Sequence, residues 1–153
     1  MICHHTIVQN PHNLLSPTDH LVQHWLQPGL IPRDVSRGSR LETIVYMGGS
    51  INLWSAFWDP SFESGLGELG VSFRINEHPA NFHDFRDCDV TLTVRDLTES
   101  DYFAKPASKL VNTWHAGVPA LLGPEPAFQA LRTTPSTTSR SSHPRKPSAR
   151  LFV

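Results

Sequence analysis

The sequence predicts an α/β fold in which a Rossmann-like parallel sheet is flanked by helices. In 42–75, a buried strand, a glycine-rich turn, a helix and a second strand follow one another, which is the order of a βαβ unit. Two more short apolar segments, 90–94 and 119–122, have strand character and enclose a helix-forming segment. Because parallel strands need crossovers of this length, the pattern favours a parallel sheet over a meander.

The first 40 residues contain little that predicts regular structure. Residues 2–9 have strand character, which Asn10 and Pro11 end. The segment 14–26 is ambiguous, because Ser and Asp side chains at 16–19 could cap a short helix or the segment could be a loop that feeds a strand. The Pro- and Gly-rich stretch 27–40 predicts a linker.

The βαβ unit contains clear start and stop signals. A strand is predicted over 42–47, and the glycine turn at 48–52 follows its carboxyl end. A helix is predicted over 53–69, with an interruption near Pro60, and Gly70 is expected to cap it.

After the third strand we expect a loop up to Ala104 and then a helix that opens at Pro106. Gly117 is the expected C-cap, and Pro119 prevents continuation. The fourth strand and the start of a further helix at 127 follow. Four strands are fewer than a doubly wound domain usually contains, so the predicted sheet is unfinished.

Three regions differ in composition. Residues 1–40 are interpreted as the remnant of an N-terminal domain and a linker, and 41–132 as the Rossmann-like domain. Residues 133–153 are low in complexity and nearly free of core-forming side chains up to 150, so we expect a disordered tail that supplies no strand.

Composition excludes several classes of protein. The 153 residues carry 13 basic and 14 acidic side chains, a balance that does not favour nucleic-acid binding. Cys3 and Cys88 lie far apart and suggest no disulfide framework, which is typical of a reducing compartment. There is no apolar run of about 18 residues and no signal-peptide pattern, so we expect a cytoplasmic protein without a transmembrane segment.

Polar loops follow three predicted strands and would meet at one rim of a parallel sheet: Gly48–Asn52, Arg95 with Asp96, and Gly123–Glu125. The helix that begins with Lys105, Ser108 and Lys109 starts on the same side. Glycines admit close backbone approach and cations offset phosphate charge, so the rim is a candidate phosphate or diphosphate site. The same residues also allow a purely structural interpretation. In it the lysines lie on the surface, Arg95 pairs with an acid, and Glu125 only caps a helix.

Nine histidines raise the question of a metal site. His20 and His24 have i, i+4 spacing, and His4 and His5 are adjacent, but no cysteine or acidic cluster joins them. We therefore predict no metal site.

Several motifs together resemble the C-terminal, donor-binding half of a GT-B-type glycosyltransferase. They are Gly-Gly-Ser-Ile-Asn-Leu at 48–53, Asp-Cys-Asp-Val at 87–90 with Val-Arg-Asp at 94–96, and Lys-Pro-Ala-Ser-Lys-Leu at 105–110 with Ala-Gly-Val-Pro-Ala-Leu-Leu-Gly at 116–123. Residues 2–34 resemble the end of the acceptor-binding domain and the interdomain connection.

The resemblance implies a nucleotide-diphospho-sugar as co-substrate, no further cofactor, an unknown acceptor and transfer of the sugar to it. The catalytic residues stay unassigned. The residues that would face the donor are Gly48, Gly49, Asn52, Arg95, Lys105, Ser108, Lys109 and Glu125.

The sequence departs from the family pattern in two ways. Many relatives carry a glutamate near the position of Asn112, which cannot ionise. From Thr133 the sequence looks foreign to the fold, which suggests a truncated or frame-altered product that is weak or inactive alone, with a separately encoded N-terminal half as partner. A non-catalytic nucleotide-binding module and a His-rich metal-binding domain are the alternative functions.

Overall fold

The computed structural model describes residues 4–131 and 150–152, and these form an α/β structure with helices on a mainly parallel sheet. The strands are β1 (Thr6–Val8), β2 (Asp19–Leu21), β3 (Thr43–Met47), β4 (Ser72–Asn76), β5 (Val90–Thr93), β6 (Ala120–Leu122) and β7 (Arg150–Phe152). The α-helices are α1 (Pro60–Glu68), α2 (Glu99–Ala104), α3 (Ser108–His115) and α4 (Pro126–Ala130).

The main sheet has the strand order β4-β3-β5-β6-β7. The strands β4, β3, β5 and β6 are parallel, whereas β7 runs antiparallel to β6. The predicted parallel α/β sheet is therefore confirmed. The chain moves to one side of β3 for β4 and to the other side for β5, so the strand order reverses between β3 and β5.

The N-terminal segment forms a separate two-stranded parallel sheet from β1 and β2. The ambiguous segment 14–26 thus contains a strand and no α-helix. Asn10 is buried and its amide donates to the carbonyls of Phe103 at 2.6 Å and Lys105 at 2.9 Å. This amide fastens the N-terminal segment to the connection between α2 and α3.

One face of the sheet is covered by α1 and by aromatic side chains. The rings of Trp54, Phe57, Phe62 and Phe73 make successive edge-to-face contacts with centroids 4.8–5.4 Å apart. As predicted, the chain is interrupted at Pro60 and α1 is capped by Gly70, whose φ is 69°. The first part of the predicted helix is a 3₁₀ turn, Ser55–Trp58.

The opposite face packs against α3 and the segments that flank it. Val45 and Met47 of β3 lie in one buried cluster with Phe85 and Val118. A neighbouring cluster joins α3 and α4 to β6. This cluster consists of Ala107, Leu110, Ala120, Leu122, Ala127 and Phe128.

Two predictions around α3 are corrected. The expected loop before Ala104 contains α2, because Thr98 caps it by accepting from the backbone N–H of Asp101. The helix expected to open at Pro106 is α3, and it begins at Ser108 with Ala107 as its N-cap. Its end is as predicted, with Gly117 at a φ of 70°.

Most of the predicted disordered tail lies outside the described residues. Its residues Arg150–Phe152 form β7, so the expectation that the tail supplies no strand is wrong there. The backbone groups along the free side of β6 explain this pairing, since an edge strand offers unpaired donors and acceptors.

The buried carboxylate of Asp89, at the amino end of β5, holds the linker on the sheet. One oxygen accepts from Arg33 twice and Arg37 once, and the other accepts from Arg37 and from the backbone N–H groups of Glu42 and Thr43, all at 2.7–3.1 Å. Its side chain is fully buried. The hydrogen bonds from Arg37 and its other donors hold the pKa of Asp89 well below its usual range.

In the part of the chain that the structure describes, no helix has both the length and the apolar character needed to cross a membrane.

The substitution Asp89→Asn should lower the free energy of unfolding by about 3 kcal/mol at pH 7, because it leaves two partly buried guanidinium groups without their carboxylate. The depressed pKa of Asp89 means that its stabilisation is complete above the unfolded-state pKa of about 4 and is lost as the pH falls further. Urea denaturation at several pH values should therefore show wild type and variant converging below about pH 4.

Asp84→Asn is the matched control, because Asp84 also pairs with an arginine, Arg86 at 2.6 Å, but the arginine is exposed. This change should cost less than about 1 kcal/mol. Equal losses in the two variants would contradict the role assigned to Asp89.

Candidate functional site

The loops that leave β3, β5 and β6 meet at one rim of the sheet, as the sequence predicts. Leu53 and Arg95 form an isolated antiparallel bridge, and the N–H of Asp96 donates to the carbonyl of Asn52 at 3.0 Å. The N–H of Gly123 donates to the carbonyl of Thr93 at 2.7 Å. This rim includes the carboxyl ends of β3 and β5, where the strand order reverses and where open α/β sheets bind their ligands.

Lys109, in the first turn of α3, reaches across to the end of β3. Its ammonium donates to the carbonyl of Met47 and lies 4.4 Å from the centroid of the Tyr46 ring. Burial, and secondarily the charge of Arg95, lower the pKa of Lys109 to about 7. Among the described residues no carboxylate lies at ion-pair distance from it. Lys109 is thus a shielded cation without a direct counterion.

Gly48 makes room for this lysine. Its φ of 152° is strained for any residue with a side chain, and a Cβ built on it would lie 2.6 Å from the Lys109 Nζ. Gly49 differs, because its φ is −61° and a Cβ would meet its nearest neighbouring atom, the Nδ2 of Asn52, at 3.7 Å. The first glycine of the pair is therefore the one that the site requires.

The first turn of α3 is open to a ligand. Its N-cap, Ala107, supplies no side-chain hydrogen bond, so no side chain among the described residues caps the first N–H groups of the helix. Ser108 and Lys109 both border the cavity described below. An uncapped helix start beside a shielded amine favours an anion.

Arg95 and Glu125 form a buried ion pair, with side chains 10% and 3% exposed. Arg95 donates to both oxygens of Glu125, the first at 2.9 Å. The alternative fate foreseen for Arg95, pairing with an acid, is the one observed. Tyr102 donates to the carbonyl of Pro124 beside them. The pair fastens the loops after β5 and β6 to each other.

Tyr46 lies beneath this rim with its hydroxyl close to Gly48. The side chain is fully buried, and its hydroxyl has no hydrogen-bond partner among the described residues. Burial raises the pKa of Tyr46 to about 12, so the phenol is neutral. A buried hydroxyl next to the Lys109 ammonium adds a further polar group at the end of β3.

Lys105 lies apart from this group. Its ammonium pairs with Asp101 at 3.5 Å on the surface, and its side chain is 44% exposed. Asn52 contributes its backbone carbonyl to the rim, where it accepts from the N–H of Asp96. The sequence thus predicts eight donor-facing residues, of which the structure brings Gly48, Ser108 and Lys109 to one cavity.

That cavity has a volume of about 420 Å³, and most of the residues that line it are not among the predicted site residues. Asn112 fastens one wall, because its amide oxygen accepts from the N–H of Gln27 at 2.9 Å and its nitrogen donates to the Gln27 side chain at 3.3 Å. The nitrogen Nδ1 of His24 is shielded and has no partner among the described residues. The residues that line the cavity are 24–28, which include the start of the linker, Met47, Gly48, Phe82, Phe85, Thr91, Thr93, Ser108, Lys109, Asn112 and Thr113.

A short network of hydroxyl hydrogen bonds connects Thr91 and Thr113, which line the cavity, to the backbone of Lys109. Thr113 donates to the carbonyl of Lys109 at 2.7 Å, and the hydroxyls of Thr113 and Thr91 are 3.1 Å apart. Because Thr113 has already used its proton, Thr91 is the donor in this second bond. The network links α3 to β5.

Within residues 4–131, no group of three or more His, Cys, Asp or Glu side chains could hold a metal ion.

Comparisons with protein-family models, with curated proteins and with solved structures give no match to this chain.

The substitution Gly48→Ala should destabilise the protein by about 2 kcal/mol, because the methyl group meets Lys109 and the backbone conformation is strained. Thermal unfolding should show a midpoint lower by about 4–8 °C. Gly49→Ala, which has ordinary φ and free space, should change the free energy by less than about 0.5 kcal/mol. Equal midpoints for the two variants would contradict this description of the rim.

Proposed function

We propose that this chain binds a nucleotide-diphospho-sugar at the rim formed by β3, β5 and α3, as the donor-binding half of a GT-B-type glycosyltransferase. The observation that carries the proposal is Lys109, a shielded amine at the carboxyl end of β3 with no carboxylate at ion-pair distance in the part of the chain that the structure describes. The motifs at 48–53 and 105–123 add the resemblance to that superfamily.

The diphosphate would lie against the first turn of α3. There the ammonium of Lys109, the hydroxyl of Ser108 and the uncapped N–H groups offer donors and positive potential, and Gly48 leaves the space that the Lys109 ammonium occupies. A shielded cation is unfavourable alone, and a bound dianion offsets that cost. Lys109 would exchange its hydrogen bond to Met47 for one to a phosphate oxygen.

The cavity beside this turn supplies space for the rest of the donor. Its volume of about 420 Å³ lies in the range of small-molecule sites, and it combines aromatic walls with a few polar groups, including Ser108 and Thr93. Such a lining suits a ligand with an anionic centre and less polar ends.

In sugar transfer, the bond between the sugar and the diphosphate breaks and negative charge develops on the leaving group. Lys109 and the start of α3 would stabilise that charge by preorganised electrostatics. The buried pair of Arg95 and Glu125 would act indirectly, by holding the loops of the rim in place. We assign no general base, and the acceptor is unknown.

One observation favours the second candidate, a non-catalytic nucleotide-binding module. Asn112, near the position where many relatives of the resembled superfamily have a glutamate, is occupied by two hydrogen bonds to Gln27. Asn112 therefore holds the linker at Gln27 and is not a free polar group in the cavity. Both candidates share the same nucleotide site and differ only in transfer.

Replacing Lys109 with methionine removes the cation and keeps much of the side-chain volume. The variant Lys109→Met should bind uridine or guanosine diphosphate at least about tenfold more weakly in isothermal titration calorimetry, since a charge-assisted hydrogen bond is lost. Lys105→Met is the matched control, because that lysine lies on the surface, and it should change the affinity less than about threefold.

Saturable binding that is unchanged in Lys109→Met would overturn the site assignment, and absence of binding by wild type would overturn the proposed function. Donor hydrolysis or sugar transfer by a chain with the N-terminal half restored separates the two candidates. A transferase should then release or transfer sugar from a bound nucleotide-sugar, whereas a binding module should do neither.

Affinity for the diphosphate should depend on pH through Lys109. Its pKa of about 7 in the free protein means that it is protonated below that value and increasingly neutral above it. A bound dianion favours the protonated form, so binding should take up protons near pH 7 and weaken as the pH rises above it. Calorimetry in two buffers of different ionisation enthalpy measures this uptake, and Lys109→Met should abolish it.

A further inference from the structure

A second concave surface lies on the α1 side of the same rim. It is a shallow groove of about 590 Å³ lined by Trp54, Ser55, Ala56, Trp58 and Asp59, and it shares no residue with the cavity at α3. We refer to it as the tryptophan groove. Ile51, 90% exposed, also lies in the loop after β3 that leads into the groove.

The tryptophan groove is held rigidly from beneath. The N–H of Trp54 donates to the carbonyl of Val94 at 3.2 Å, and the N–H of Ser55 donates to the carboxylate of Asp96 at 2.9 Å. Trp54 also packs edge-to-face on Phe57 with centroids 5.4 Å apart. These contacts bind the 3₁₀ turn Ser55–Trp58 to the end of β5 and fix its backbone.

The groove offers an aromatic surface together with unused polar groups. Trp58 is 54% exposed, although an indole of this size usually lies mostly buried. In the described part of the chain, neither Trp54 nor Trp58 donates its indole N–H to a protein acceptor. The carboxylate of Asp59 accepts from the N–H of Ser61 at 2.9 Å and has further lone pairs free.

We propose that the tryptophan groove binds a neutral saccharide. A pyranose ring has an apolar C–H face that fits the exposed indole of Trp58, and its hydroxyls can accept from the indole N–H groups and donate to Asp59. Two carboxylates, Asp59 and Asp96, lie in or beneath the groove and disfavour an anionic ligand.

Binding of a saccharide here does not depend on the diphosphate site. The binding experiment is therefore done without nucleotide, so that failure of this proposal and failure of the donor site give different results.

The experiment uses the four indole N–H signals of the full chain in proton–nitrogen correlation spectra, assigned by single Trp→Phe variants. The chain is titrated separately with maltotriose, cellotriose, mannotriose and chitotriose. We expect at least one of them to shift the signals of Trp54 and Trp58 saturably, while those of Trp25 and Trp114 stay in place.

Trp58→Ala should weaken that binding by about tenfold or more, the scale of removing one aromatic anchor. Trp114→Ala is the matched control, since Trp114 is 48% exposed but lies on α3 away from the groove, and it should leave the affinity unchanged. Lys109→Met should also leave it unchanged. Asp59→Asn keeps a good helix cap and should weaken saccharide binding through the lost carboxylate alone.

The proposal is overturned if no saccharide gives a saturable shift, if the shifts centre on Trp25 or Trp114, or if a proline-rich peptide shifts the groove signals while no saccharide does. It is also overturned if folded Trp58→Ala binds like wild type. Should Trp58→Ala fail to fold, Trp58→Leu, which keeps much of the bulk but removes the aromatic face and the indole N–H, decides the outcome in the same way.

Discussion

The carboxylate of Asp89 is the interaction on which the arrangement of this chain depends. It joins two arginines of the linker to the amino ends of β3 and β5, and its side chain is completely buried. Because a buried carboxylate left without these donors would be costly, the contact holds the linker on the sheet. Arg33 extends the same anchorage by donating to the carbonyls of Gly38 and Arg40.

That anchorage determines the shape of the cavity at the opposite end of the sheet. With Arg33 fixed, the residues before it run along α3, where Gln27 is held by Asn112 and residues 24–28 form a wall. Asn10 fastens the still earlier segment to the carbonyls of Phe103 and Lys105. Three buried polar contacts thus convert a linker with almost no regular structure into part of the candidate site.

The sequence predicts the sheet well because its signals are local. Strand patterns, Gly70 and Gly117 act within a few residues, and the meeting of three loops follows from parallel topology alone. The short helix α2 was missed, although Thr98 and Asp101 carry a capping pattern that could have revealed it.

The contacts that shape the site join residues far apart in sequence, and no periodicity encodes them. Arg95 and Glu125 pair across 30 positions, and Asn112 meets Gln27 across 85. The same limit explains why the two lysines looked equivalent in sequence, whereas only Lys109 reaches the end of β3. The most direct test of the central claim is a crystal structure with uridine or guanosine diphosphate. We predict the diphosphate on the first turn of α3, with Lys109 Nζ moved from Met47 to a phosphate oxygen. A nucleotide bound elsewhere while Lys109 still contacts Met47 would contradict the account.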